Sequence, residues 1–300
     1  MAKVWIVGSV ALDTIEGPAG KAEKVLGGSA TYASCAAGLF GKAGVIACVG
    51  DDFPADAMAV LGERGADLGG LKRLPGRTFT WAGKYAPEFR TRETTHLDLG
   101  VFGSFRPVLP GPLPAGDILF LGNIDPDIQL GVLDQAGKDA FVAADTIDHW
   151  IRSKREALVK GLARTRLFFL NDEEARLLTG EENLVRAGEA IRRMGPDSVV
   201  VKKGEHGAIL FTASGMCAMP ALPLSTVVDP TGAGDSFAGA MLGSMAGQGS
   251  TGPDAMRLGM ARGTVVASFT VEAFGVGRLR ILTTADVESR LARFRDLARF

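Results

Sequence analysis

Cysteine, histidine and tyrosine are scarce in this 300-residue chain, which carries three, three and two of them. Cys35, Cys48 and Cys217 form no CxxC pair. Cys35 and Cys48 sit in apolar runs, so they read as buried free thiols rather than metal ligands or disulfide partners. His96, His149 and His206 show no metal-ligand spacing. An excess of one charge is also missing. Lys and Arg number 33 against 34 Asp and Glu, a net charge of −1, and both signs are spread along the chain. That argues against a basic nucleic-acid footprint and against an acidic tail. Long apolar runs are absent too. The N-terminal run, Val4 to Leu12, is broken by Asp13 and is too short for a signal peptide or a membrane span. The expectation is a soluble, cytoplasmic protein with neither nucleic acid nor membrane as a partner.

Two nucleotide-binding signatures are lacking as well. The Gly-Lys pairs beginning at 20, 41, 83 and 137 are never followed by Ser or Thr, so there is no Walker-type phosphate loop. Gly232, Gly234 and Gly239 have the wrong spacing for G-x-G-x-x-G, which disfavours an ordinary dinucleotide fold.

What is present is an alternation of short apolar runs with amphipathic segments, in a chain with 46% hydrophobic residues and 40 glycines. That pattern predicts an α/β fold with a mainly parallel sheet flanked by helices. Core strands are expected at 4–10, 44–49, 118–121, 141–144, 167–170 and 199–202. Helices are expected at 30–40, 55–64, 152–163, 172–178, 184–194, 236–246, 255–269 and 285–297. No repeat or linker divides the chain, so residues 1–300 read as one domain. The segment 77–102 breaks the alternation. In "RTFTWAGKY" a period of two puts Phe79, Trp81 and Tyr85 on one face, and Thr91 to Phe102 can return as a second strand. We expect this hairpin, joined by residues 14–26, to form a small β lid over the ligand edge of the sheet, and to offer a face for a homodimer.

Several short motifs carry polar groups that the fold would bring to that edge. "GSVALD", at the end of the first expected strand, closes on Asp13, whose carboxylate can accept two hydroxyl hydrogen bonds from a polyol or can simply serve a turn. Gly27 and Gly28 open a helix of small residues and let the backbone approach a ligand closely. "LFFLNDEEARLLTG" ends a strand at Asn171 and starts an acidic helix. Ordinary capping explains it, and so would Asn171 and Glu174 placed around phosphate and Mg²⁺. In "VVVKKGEHGAILF" a strand turns at Gly204 and returns, with Lys202 either facing a phosphate or closing a solvated strand end. The strongest motif is "VVDPTGAGDSFAGAMLG", residues 227–243. Asp235 there can cap a helix, or it can act as a base beside an anion site made by Gly232, Ala233 and Gly234.

Taken in order, the Gly27-Gly28 helix, the N-x-x-E of Asn171 and Glu174, and the D-P-T-G-A-G-D-S-F-x-G of residues 229–239 resemble the ribokinase family, the phosphofructokinase-B carbohydrate kinases. The resemblance runs along nearly the whole chain. It implies a Rossmann-like, ribokinase-like domain with a small inserted β lid, ATP-dependent phosphorylation of a sugar, polyol or nucleoside hydroxyl, and Mg²⁺, with a monovalent cation such as K⁺ as a further option. By the same resemblance Asp235 is the catalytic base and Gly232, Ala233 and Gly234 form the anion hole. Asp13, Gly27, Gly28 and Asn123 meet the acceptor. Asn171, Lys202 and Gly204 lie by the nucleotide, Glu174 serves the metal through water, and Asp145 stands near it. The ribose pattern is changed at three positions, where this chain has Ala11, Tyr32 and Asn123. Ribose is therefore expected to be a poor acceptor, and Tyr32 is free either to stack on a base or to narrow the pocket. The alternatives are a nucleoside kinase specifically, or a catalytically idle sensor of sugars or nucleotides.

Overall fold

The structure, a computed structural model, describes residues 2–87, 89 and 92–299. Thr91, the first residue of the expected return strand, lies outside the described residues. In chain order the strands are β1 (Lys3–Val7), β2 (Ala11–Gly17), β3 (Gly20–Gly27), β4 (Lys42–Val49), β5 (Asp67–Arg73), β6 (Phe79–Tyr85), β7 (Arg92–Asp98), β8 (Ile118–Leu121), β9 (Phe141–Asp145), β10 (Leu167–Asn171), β11 (Ser198–Lys202), β12 (Ala208–Thr212) and β13 (Gly215–Met219). Nine of them form one sheet in the order β13-β12-β11-β10-β9-β8-β1-β4-β5. All its pairings are parallel except those of β12 with β11 and β13.

Alternation along these strands feeds two separate cores. Val4 and Ile6 of β1, Val45 and Ala47 of β4, and Leu167 and Phe169 of β10 point to one face. Helices α1 (Ser29–Ala37), α2 (Ala55–Gly62), α8 (Ala233–Gln248), α9 (Pro253–Thr270), α10 (Gly277–Ile281) and α11 (Thr284–Leu297) cover that face. The intervening residues Trp5, Val7, Ile46, Cys48, Phe168 and Leu170 point the other way. There they meet α3 (Pro126–Leu133), α4 (Asp148–Ser153), α5 (Arg155–Leu162), α6 (Asp172–Thr179) and α7 (Leu184–Arg193). Among the described residues no helix is long and apolar enough to cross a membrane.

The packing of α1 on α8 explains the small residues in both. A Cβ at Gly239, Gly243 or Gly247 would collide with the backbone carbonyls of Ala33, Ala37 and Phe40 in turn. The four-residue spacing of these glycines lays α8 directly against α1. α8 is buried on all sides from Ser236 to Ala246, as a helix apolar around its whole circumference must be.

The remaining strands form a second sheet, β3-β2-β6-β7, with β2 and β6 parallel. Asp13 therefore does not close the first strand as expected. β1 ends at Val7, and Asp13 belongs to β2 of the second sheet. The expected helix 152–163 is two helices, α4 and α5, broken where Lys154 leaves helical geometry with φ −137° and ψ 36°.

Candidate active site

The site forms where the second sheet meets the N-terminus of α8. Gly232 precedes α8 with φ 74°, a left-handed conformation that favours glycine. A Cβ there would also strike the ring of Tyr32. Asp235 stands in the first turn of α8, and no side chain caps that helix. The turn ahead is organised by Asp229, which accepts the N–H of Thr231 at 2.9 Å and the N–H of Gly275 at 3.3 Å. Ala233 donates its own N–H to the Pro230 carbonyl at 3.2 Å, so of the three expected anion-hole residues it contributes least to a ligand.

On the side of the second sheet, the carboxylate of Asp13 occupies the space that a side chain at Gly27 would need. Gly28, with φ 93°, caps α1 without a side chain, and a Cβ there would come within 2.5 Å of the Ser9 carbonyl oxygen. Ser9 completes the cap from outside the helix: its hydroxyl accepts the Ser29 N–H at 3.0 Å and its carbonyl accepts the Ala30 N–H at 2.9 Å. Burial, and then repulsion from Asp229, push the Asp13 carboxyl up to about 7, against the pull of the Gly28 N–H.

On the side of the large sheet, Lys202 at the end of β11 forms an ion pair with Asp145 at the end of β9, Nζ to Oδ2 2.7 Å. A Cβ at Gly234 would sit 3.2 Å from that Nζ, so the ammonium lies beside the N-terminus of α8. Burial acts to lower the Lys202 pKa, but Asp145, Glu174 and Asp235 together hold it above the ordinary lysine value. Asp235 itself is pushed up to about 7, by burial first and by the Asp145 charge second, with Lys202 and Arg92 pulling the other way.

Asn171 and Glu174 form a reciprocal capping box on α6. The Asn171 Oδ1 accepts the Glu174 N–H, and Glu174 Oε2 accepts the Asn171 N–H, both at 2.7 Å. The capping role thus accounts for their pairing. Glu174 is also 6% exposed, and burial raises it to about 7 despite the nearby Lys202. Among the described residues no cluster of three His, Cys, Asp or Glu is arranged to hold a metal directly. Carboxylate oxygens at Asp145 and Glu174 still suit a hard cation that keeps its waters.

Two expected residues stand apart from this group. Gly204 opens a short 3₁₀ turn after β11, with φ 52°, and nothing lies within 4 Å of the point where a Cβ would stand. Asn123 follows β8, and its Oδ1 accepts the indole N–H of Trp150 at 2.9 Å. Tyr32 is 1% exposed, with its ring packed on Gly232, which leaves no face for stacking on a base.

Three more residues of the second sheet and the turn stand at the site: Tyr85, which the sequence pattern put on the lid face, Thr231 of the 229–239 motif, and Arg92, which no pattern marked. Tyr85, buried at the end of β6, has its hydroxyl 2.9 Å from that of Thr231. Arg92 at the start of β7 is close enough to lower Asp235 and lies over the Trp81 ring at 5.4 Å. The period-two pattern of β6 pointed at Tyr85 without a partner.

Comparison with known proteins bears on the family and the fold. The family model described as pfkB family carbohydrate kinase matches residues 128–280. A cytidine kinase of Thermococcus kodakarensis is 29% identical over 268 residues, covering 87% of this chain and 95% of that protein. Among solved structures, the nucleoside kinase of Methanocaldococcus jannaschii, an archaeal member of the ribokinase family, superposes with a TM-score of 0.78. It shares 22% identity over 98% of this chain and 99% of its own. Aminoimidazole riboside kinase from Salmonella enterica, complexed with aminoimidazole riboside and an ATP analogue, gives a TM-score of 0.77 at 21% identity, over 96% of this chain and 99% of that one.

Proposed function

The chain belongs to the pfkB family of carbohydrate kinases, and from that membership we propose a specific division of labour among its residues. The protein is an ATP-dependent kinase of a sugar or nucleoside hydroxyl that works with Mg²⁺. In our reading the acceptor lies between Asp13 on β2, the Gly27-Gly28 turn and Asp235, with its reacting hydroxyl toward Asp235. Asp235 takes the hydroxyl proton as the new O–P bond forms and the bond from the γ-phosphorus to the bridging oxygen breaks, releasing ADP. A carboxyl at about 7 is matched to that task, because it is substantially ionised near neutral pH and still basic enough to accept a proton.

The N–H groups at the start of α8, with Gly232 and Gly234 foremost, face the transferring phosphoryl group, and Lys202 and Arg92 add positive charge around it. Mg²⁺ would be held through water by Asp145 and Glu174, and when bound it neutralises charge on the ATP phosphates. Asn171 and Gly204 complete the nucleotide side. A requirement for K⁺ is tested by replacing it with choline in the assay. Self-association through β7, where Leu97 is 58% exposed, is tested by sedimentation of Leu97→Asp.

The observation that carries this reading is Asp235 in the first turn of α8, behind the left-handed Gly232 and next to Gly234, which the ammonium of the Lys202–Asp145 pair abuts. Asp235→Asn tests it. Asp235 makes no cap that Asn would lose, and Asn keeps its size, so stability at neutral pH should change little, while turnover should fall ~10²–10⁴-fold, the usual worth of a positioned base. Turnover within a few-fold of wild type would refute the assignment. Nucleoside acceptors are favoured within this reading because the relatives named above act on nucleosides and because the ribose pattern is altered at Ala11, Tyr32 and Asn123. ADP release across a panel of nucleosides and sugars decides between them. An idle sensor, which would release no ADP with any of them, is not favoured, since Gly232, Gly234, Asp235, Asn171 and Glu174 are all intact and the relatives named above are kinases.

A further inference from the structure

The chain passes between the two sheets four times, after β1, β3, β5 and β7. The first two passages are fastened to each other by neutral groups. Ser9 donates its N–H to the Ser29 hydroxyl at 3.1 Å, and Ser29 donates its own to the Ser9 hydroxyl at 3.0 Å. The third is fastened differently, to the loop that follows β4. Thr78, fully buried just ahead of β6, gives both its N–H and its hydroxyl proton to one oxygen of Asp52, each at 2.7 Å. The same hydroxyl accepts the Gly50 N–H at 3.0 Å, and Asp51 donates its N–H to the Gly76 carbonyl at 2.9 Å. Gly50 has no room for a side chain, since a Cβ there would lie 2.3 Å from the Gly76 carbonyl oxygen. The fourth passage is tied to the third, because Val101, buried in the core of the large sheet, donates its N–H to the Arg77 carbonyl at 2.9 Å. Both feet of the β6–β7 hairpin thus stand on the Asp52 loop.

What stands on those feet reaches the active site. β6 pairs in parallel with β2, with Trp81 opposite Asp13, and its last residue, Tyr85, meets Thr231 ahead of α8. From Thr78 to Tyr85 an extended chain covers ~23 Å, at about 3.3 Å per residue. A tilt of ~3° at the root then moves the tip by ~1 Å, and a displacement of that size can cost ~10²-fold in rate. We infer that Asp52 is a positioning residue, which sets the second sheet, with its Asp13 and Tyr85, against the start of α8. Its accepting oxygen is engaged by Thr78, so it acts through the sheet and not on a ligand. An ionised acceptor suits the task, because hydrogen bonds to a charged oxygen are about twice as strong as neutral ones. The loop that carries Asp52 is itself held, by the Arg73 guanidinium donating to the carbonyls of Gly50, Asp51 and Phe53.

This inference rests on the kinase reading above, and two kinds of readout separate them. Hydrogen exchange of the β6 and β7 amides is measured on the ligand-free protein, beside initial rates with Mg-ATP for cytidine, uridine, inosine and ribose. The variants are Asp52→Ala, Asp52→Asn, Thr78→Val and Asp52→Ala/Thr78→Val. In Asp52→Ala, exchange in β6 and β7 should accelerate ~10-fold or more while β8 and β10 stay as protected as in wild type. For the best acceptor of the four, KM should rise ~10-fold or more, with a smaller fall in kcat. ATP affinity, measured by calorimetry without acceptor, should stay within about two-fold, because Gly232, Gly234 and Lys202 lie outside the second sheet. Asp52→Asn keeps the size and one accepting oxygen but not the charge, and should fall between wild type and Asp52→Ala. If Asp52→Ala does not fold, Asp52→Asn carries the same comparison. Asp52 and Thr78 are two ends of one contact, so the double variant should raise KM by less than the product of the single effects. Full multiplication of those effects overturns the inference. So does a lower Tm with unchanged exchange in β6 and β7 or an unchanged acceptor KM, which would confine Asp52 to the turn after β4. None of these results touches the kinase reading. If wild type releases no ADP with any of the four acceptors, the kinase reading fails, and exchange in β6 and β7 alone decides whether Asp52 fastens the sheet.

Discussion

The hydroxyl of Tyr85 lies 2.9 Å from that of Thr231, joining the last residue of β6 to the turn that leads into α8. The two are 146 positions apart, so this bond ties the second sheet to the entry of α8. Tyr85→Phe deletes one hydrogen bond and keeps the ring, at a cost of about 1 kcal/mol wherever that bond matters. We expect a several-fold rise in acceptor KM and a Tm within a few degrees of wild type. Trp81, on the same strand, supplies the readout in a variant whose other tryptophans are replaced by Phe. Its fluorescence should change on adding the working acceptor, and the response should weaken when Tyr85→Phe is added. No response from Trp81 at saturating acceptor, with turnover intact, would show that the second sheet does not cover the acceptor.

Three buried carboxyls make the ligand-free protein sensitive to pH in an unusual direction. Asp13, Glu174 and Asp235 are each raised to about 7, with burial the largest cause in every case. In the unfolded chain these groups ionise near ~4, so between about 4 and 7 the folded state binds protons that the unfolded state has lost. Their contribution to stability is complete below about 4, declines as pH rises, and is gone above about 7. Each tilts the curve by at most about 1.4 kcal/mol per pH unit, less where solvent screens the group. Thermal melts at pH 5.5 and 7.5 should show a smaller loss for Asp235→Asn than for wild type. Equal losses would show that Asp235 ionises as freely in the folded protein as in the unfolded one.

Much of this architecture is legible in the chain because buried parallel strands must be short and apolar. "ILFL" of β8 and "LFFL" of β10 match their expected positions for that reason, and the D-P-T-G-A-G-D motif marked Asp235 directly. The misplacement of Asp13 has an equally physical origin. Val4 to Leu12 is almost unbroken in its apolarity, and Val10, Ala11 and Leu12 are buried just as Val4 and Ile6 are. Nothing in such a run reveals that the chain leaves one sheet at Gly8 and enters another at Ala11. β5 and β13 are edge strands with exposed, glycine-containing sequences, "DLGGLKR" and "GMCAM", and carry little signal. Arg92 acts through a contact that depends on tertiary position alone, so no local pattern could nominate it.

Tyr32 carries a cost that mutation can expose. Its hydroxyl is buried with no hydrogen-bond partner among the described residues, and burial raises its pKa well above the ordinary tyrosine value. An unmatched buried hydroxyl costs roughly 1–3 kcal/mol. Tyr32→Phe keeps the ring against Gly232 and removes that hydroxyl, so the melting temperature should rise by a few degrees. A fall in Tm would mean that the hydroxyl is satisfied by an ordered water.

The two roles available to Glu174 make different forecasts. Gln serves a capping box as Glu does, so Glu174→Gln should leave α6 and the Tm nearly intact. It removes a carboxylate from the neighbourhood of Asp145 and Lys202, and the Mg²⁺ concentration giving half-maximal rate should rise several-fold. A Tm that falls while the Mg²⁺ dependence stays fixed would confine Glu174 to capping.

Arg92 offers the sharpest test of how the second sheet participates. It lowers the Asp235 carboxyl electrostatically, opposing the effects of burial and Asp145. Arg92→Gln removes that charge, so the proton affinity of Asp235 must increase. The rise of kcat/KM with pH, governed by ionisation of the base in the free enzyme, should shift to higher pH. If Arg92 also meets the transferring phosphoryl group, kcat at a pH above the shifted rise should remain lower than wild type by ~10²-fold or more, on the scale of a lost charged donor. Arg92→Lys keeps the charge and loses the planar fork, and should therefore restore the pH profile more fully than the rate. A profile that does not move in Arg92→Gln would mean that β7 stands too far from Asp235 during turnover to influence it.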